Sequence, residues 1–124
     1  MTIAAPLLLV NPSGYVAVMS APTGGKVAVL ARIPAQPGKR DALVEALQAA
    51  IDNANTEAGT LLYILHTDPK DPDAVLFYEL YSDQAAFEAH GSSDRFKEIG
   101  RTLRDLAGGR PELTFLTPVI GKGL

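Results

Sequence analysis

From Lys26 onward the apolar positions follow two different periods. The run KVAVLARI, residues 26–33, is apolar and β-branched, which predicts a strand buried on at least one face and ending at Pro34, which cannot donate to a ladder. Across residues 36–54, Leu43, Leu47 and Ile51 recur every four residues beside Val44, the spacing of an amphipathic helix. TLLYILH (60–66) and DAVLFYELY (73–81) read as two further strands that should pair antiparallel around the loop TDPKDPD. Ser82 is the expected N-cap of a short helix through His90, with Gly91 closing it. Ser92 or Ser93 then caps another helix in which Phe96, Ile99, Leu103 and Leu106 share a face. After Gly108-Gly109, PELTFLTPV supplies the last strand.

The order strand, helix, strand, strand, helix, strand is that of an α+β, ferredoxin-like split βαβ fold, with helices on one face of an antiparallel sheet. Leu62, Ile64, Leu76 and Leu80 have one parity and Leu61, Leu65, Val75 and Phe77 the other, so both faces of the sheet are apolar. A face left uncovered by helices predicts a homodimer. Upstream, Leu7–Val10 and Tyr15–Met19 flank Asn11-Pro12-Ser13-Gly14, a hairpin pattern followed by the break Pro22-Thr23-Gly24-Gly25. Residues 1–25 are therefore expected as an N-terminal extension, a β-hairpin and linker, and residues 26–124 as the main domain.

Composition narrows the partners more than the fold. With 11 basic and 14 acidic residues spread along the 124-residue chain, the net charge of −3 offers no footprint for nucleic acid or an anionic membrane. The absence of cysteine excludes disulfides, thiolate metal sites and a cysteine nucleophile. The apolar run Ala4–Val10 is short and is preceded by no basic residue, so neither a signal peptide nor a membrane helix is expected, and a cytoplasmic location is. No phosphate-cradling or dinucleotide glycine pattern is present. His66 and His90 form no i, i+4 pair, and prolines explain the DPKDPD acids as a turn, so no metal site is expected.

Polar residues set in apolar strands are the candidates for chemistry. Pairing Leu61–Leu65 with Val75–Glu79 would put Tyr63, Glu79 and Tyr81 on one sheet face, where a carboxylate needs a partner or water. His90 follows Ala86 and Phe87 on one helical stripe, and a stripe turned to the sheet would bring His90 towards Glu79. The plainer alternatives are a histidine favoured by the helix dipole and a glutamate at the sheet edge. His66 is expected in the loop.

The segments ARIPAQPGKRDAL, EAGTLLYILHTDPKDPDAVLFYELYSD and AAFEAHGSSDRF occur in the order and spacing of the antibiotic biosynthesis monooxygenase family, which includes quinol monooxygenases of the dimeric α+β barrel superfamily. The resemblance runs from Val27 to about Val119. It implies that Glu79 and His90 are the family's strand glutamate and helix histidine, and that Tyr81 stands where tryptophan is common. Ala58 replaces a proline, and Arg95 a second histidine. Haem-degrading relatives share a helix like SDRFKEIG, but their iron-ligating histidine falls at Gly100 and an asparagine at Ala31; glycine cannot ligate iron. The resemblance thus implies a cofactor-free monooxygenase acting on a small aromatic substrate, a quinol or anthrone, with dioxygen. In that reading His90 and Glu79 are catalytic, while Tyr63, Tyr81, Phe77 and Phe87 bind substrate. A cofactor-free isomerase or epimerase of a small carbonyl metabolite, and a non-catalytic dimeric ligand-binding protein, are the alternatives.

Overall fold

The computed structural model describes residues 6–10, 16–20 and 25–124. Strands β1 (Pro6–Val10) and β2 (Val16–Ser20) pair antiparallel as the expected hairpin, Leu8 opposite Val18. The Asn11–Gly14 turn and residues 22–24 of the linker lie outside the described residues. The remaining elements are β3 (Val27–Pro34), α1 (Arg40–Ala46), α2 (Gln48–Ala54), β4 (Thr60–Asp68), β5 (Asp71–Tyr81), α3 (Gln84–Ser92), α4 (Asp94–Thr102) and β6 (Glu112–Leu116). Their sheet has the order β4-β5-β3-β6, every neighbouring pair antiparallel, which is the ferredoxin-like α+β topology.

One face of the sheet is packed by helices. Ala31 and Ile33 of β3 and Val75 and Phe77 of β5 pack with Leu43 of α1, Leu47, Ala50 of α2 and Ile99 of α4, while Val27 and Val29 of β3 pack with Tyr81, Ala86 and Phe87. Phe77 is fully buried at the centre, where truncation to alanine would cost about 3–5 kcal/mol. The expected first helix is divided at Leu47, whose ψ of −5° tightens one turn without changing the face that Leu43 and Leu47 bury. On the outer face Leu30, Leu62, Ile64 and Leu116 are 36 to 46% exposed. Ala28 and Leu80, also on that face, are buried, and with Leu62 they border a hollow shared with Ile120 and Leu124 of the C-terminal segment.

Three details differ from the sequence expectation. Strands β4 and β5 run on to Asp68 and Asp71, so the loop shrinks to Pro69-Lys70 and His66 lies exposed on β4 opposite Leu76. Tyr63 pairs with Glu79 and Leu65 with Phe77, two residues from the expected register; because strand parity repeats every two residues, the faces are unchanged. Asp83, not Ser82, caps α3, its carboxylate accepting the Ala86 N–H at 2.8 Å, and Gly91 lies inside the helix. No helix among the described residues is long and apolar enough to cross a membrane.

Candidate active site

Helix α3 delivers His90 in its last turn, where a protonated imidazole meets the favourable end of the helix dipole. Ser93 then turns the chain. Its hydroxyl donates to the His90 carbonyl at 3.3 Å and accepts the Phe96 N–H at 3.1 Å, so one side chain ends α3 and starts α4. The His90 ring is buried against Phe96, with centroids 4.7 Å apart, and faces Tyr63 at 5.2 Å and Tyr81 at 5.4 Å.

The hydrogen-bond partner of His90 is Glu57. Nδ1 lies 2.7 Å from Glu57 Oε1, with side-chain exposures of 4% and 20%. The Thr60 hydroxyl donates to the same oxygen at 3.0 Å. A carboxylate can only accept, so the neutral ring carries its proton on Nδ1 and presents the Nε2 lone pair elsewhere. Glu57 precedes β4, and Gly59 explains how it reaches α3. A Cβ on Gly59 would come within 2.5 Å of the Ala86 Cβ, so this close approach requires glycine. The Ser82 N–H donates to the Gly59 carbonyl at 2.9 Å and fastens the contact.

Glu79 is also buried, and the Tyr81 hydroxyl donates to its Oε1 at 2.5 Å. Burial pushes the Glu79 carboxyl above the usual range and nearby Glu57 adds to this; the Tyr81 hydrogen bond and His90 pull the other way. Burial, reinforced by the Glu79 and Glu57 carboxylates, raises the Tyr63 phenol well above its ordinary value and keeps it a donor. Tyr81 is raised by burial and by Glu79 in the same manner.

A cavity of about 580 Å³, within the range of small-molecule sites, lies beside this cluster. Tyr63, Phe77, Glu79, Phe87 and His90 all line it. Tyr63 stacks on Phe77 at 4.4 Å. Tyr81 does not reach the wall: it is fully buried behind Glu79 and edge-on to Phe87, so it supports the carboxyl instead of contacting a ligand. Nor does Glu79 hold His90, the role that falls to Glu57. Sequence reasoning missed Glu57 because it sits in a loop without periodicity; its position at the head of the EAGT stretch was the available signal.

Arg95 is exposed and paired with Glu98 at 3.5 Å, away from the cavity. Gly100 and Ala31 do line the cavity, but neither carries a side-chain donor for a metal. Among the described residues no group of three His, Asp or Glu side chains gathers as a metal cage.

Residues 26–102 match the family described as antibiotic biosynthesis monooxygenase. Among solved structures, a proposed antibiotic biosynthesis monooxygenase of Caulobacter crescentus is 28% identical with a TM-score of 0.72, covering 78% of this chain and 92% of that one. A similarly described protein of Chloroflexus aurantiacus is 30% identical with a TM-score of 0.67, covering 79% and 97%. A Pseudomonas aeruginosa protein is 29% identical with a TM-score of 0.69, covering 77% and 96%. An uncharacterized Synechocystis protein is 24% identical over 87 residues, 70% of this chain but only 59% of that longer relative.

Proposed function

The chain belongs to the antibiotic biosynthesis monooxygenase family, and on that premise we propose that the cavity oxidises a phenolic substrate, a quinol or an anthrone, with dioxygen and without metal or flavin. The observation that carries this reading is a buried imidazole whose Nδ1 is held by a carboxylate while its ring borders an aromatic-walled cavity.

Dioxygen reacts slowly with closed-shell molecules, so without a redox centre the substrate must supply the electrons, and it does so readily only once deprotonated. His90 Nε2 is the base. Glu57 keeps the ring in the productive tautomer and stabilises the imidazolium that forms. The Tyr63 phenol donates to the developing substrate oxyanion, and the Glu79 carboxyl, biased towards its neutral form by burial, can donate as well. Phe77 and Phe87 wall the ring and exclude water. For an anthrone the atoms balance simply. The ring methylene loses two hydrogens and four electrons, one oxygen atom becomes the new carbonyl, and the other leaves as water. The same reading places a second copy of the chain on the outer sheet face, over Leu30, Leu62, Ile64 and Leu116.

The test is dioxygen uptake by chelator-treated protein on a panel of quinols and anthrones, beside His90→Ala and a protein-free blank. Uptake above the blank that falls at least about a hundredfold in the variant supports the reading. Uptake equal in both proteins, or none on any substrate, overturns it; proton exchange without oxygen uptake would point to an isomerase instead.

A further inference from the structure

The cavity is electrically lopsided. At one end lie Glu79 and His90, with Glu57 just behind the imidazole. Elsewhere the wall is almost wholly apolar, with Ala31, Ile33, Leu103 and Leu113 among its members, until Arg104. Arg104 is exposed at the surface and, among the described residues, is the one arginine or lysine on the wall. Among the described residues it has no carboxylate within ion-pair distance.

The separation follows from α4. Phe96 touches the His90 ring, and Arg104 comes eight residues later, after a helix whose last turn continues through Leu103 in αR geometry. At 1.5 Å per residue that is about 12 Å, comparable with the long axis of a three-ring aromatic. Gly100, midway between them in sequence, lines the cavity, and an added Cβ there would meet nothing within 4 Å, so no atom crowds the wall at that point.

We propose that the substrate is an aromatic acid, bound with its oxidisable ring at His90 and its carboxylate at Arg104. One penalty and one attraction fix the direction. A carboxylate at the inner end would lose its hydration in a buried pocket with the Glu57 carboxylate just behind the imidazole, whereas at the rim it meets a planar guanidinium suited to bidentate pairing and keeps part of its hydration. The neutral ring, which must approach the base, then has only the inner end left. This assignment rests on the cavity being the site of oxidation, and it adds the substrate's charge and its orientation.

The test separates binding from turnover. Affinities of anthraquinone carboxylate and of its neutral carboxamide, both of which carry a carbonyl where the anthrone has its methylene and so cannot be oxidised there, are measured by calorimetry on the full chain and on Arg104→Gln and Arg104→Glu. The carboxylate should bind about twofold to fivefold more tightly than the amide, as expected for a solvent-exposed ion pair. That ratio should fall to near one in Arg104→Gln, invert in Arg104→Glu and shrink with added salt in the parent. Equal affinities in the parent, or a ratio unchanged by Arg104→Gln, would overturn the assignment. A carboxylate preference that depends on Arg104 without oxygen uptake on the carboxylated anthrone would sink the oxygenase reading and leave the Arg104 site standing. Uptake with no charge preference would do the reverse.

Discussion

Replacing Glu57 with glutamine tests the part of the site that the chain's periodicity does not reveal. Glu57 Oε1 lies 2.7 Å from Nδ1 of a His90 that is only 4% exposed, so the pair is poorly screened on the histidine side. Glutamine keeps an acceptor oxygen and nearly the same shape. What it loses is charge: a hydrogen bond to an ionised group contributes about 1.5–3 kcal/mol against about 0.5–1.5 for a neutral one. The difference, about 1–2 kcal/mol of imidazolium stabilisation, converts to about a fivefold to thirtyfold drop in kcat. An amide turned to present its NH2 would select the other tautomer and deepen the loss. Because Glu57 is not on the cavity wall, KM should move by less than about twofold. The assay is steady-state oxygen uptake, with melting curves to confirm that the fold is intact. An unchanged kcat in a variant that melts like the parent would refute the role, as would a change confined to KM.

Two further outcomes concern stability. Burial raises the Glu79 carboxyl, so the native state holds that proton more tightly than the unfolded chain; this group's stabilisation is full below the unfolded value and is lost as pH rises through the native one. Glu79→Gln, which still accepts from Tyr81, should therefore gain stability relative to the parent as pH climbs from about 4 to about 8 in urea titrations, and a flat difference would contradict the burial argument. Gly59→Ala would drive a Cβ to 2.5 Å from Ala86 and should cost about 1–3 kcal/mol, read as a melting point several degrees lower, whereas Gly91→Ala, with open space around it, should not destabilise; equal melting of both variants would mean that the close approach at Gly59 relaxes freely.

The fold was legible because each element carries its own period. Leu43, Leu47 and Ile51 mark a helix wherever its turns tighten, and the shared face of Tyr63 and Glu79 survives a two-residue change of register because parity does. The aspartate-proline pattern predicts a longer loop than the structure has, since Asp68 and Asp71 keep pairing despite the prolines beside them. The site was legible only in part. Strand and helix stripes put Tyr63 and Glu79 on one sheet face and could turn His90 towards it, while Phe77 and Phe87 came from the family resemblance; the division of labour among the acids followed from neither. Whether His90 meets Glu79 or Glu57 depends on how a loop crosses a helix, and that is decided by one missing Cβ at Gly59, which no hydrophobic pattern reports.

The leucines and Ile64 on the outer sheet face also set how the protein responds to temperature. Attraction between apolar surfaces is entropic near room temperature and weakens on cooling. The hydrogen-bonded ladders within the sheet lack that dependence. An assembly of two copies held by this face, as proposed above, therefore loosens in the cold, and dilute, chilled solutions are where the bare face would spend the longest time in water. Warmth and concentration act together in the other direction.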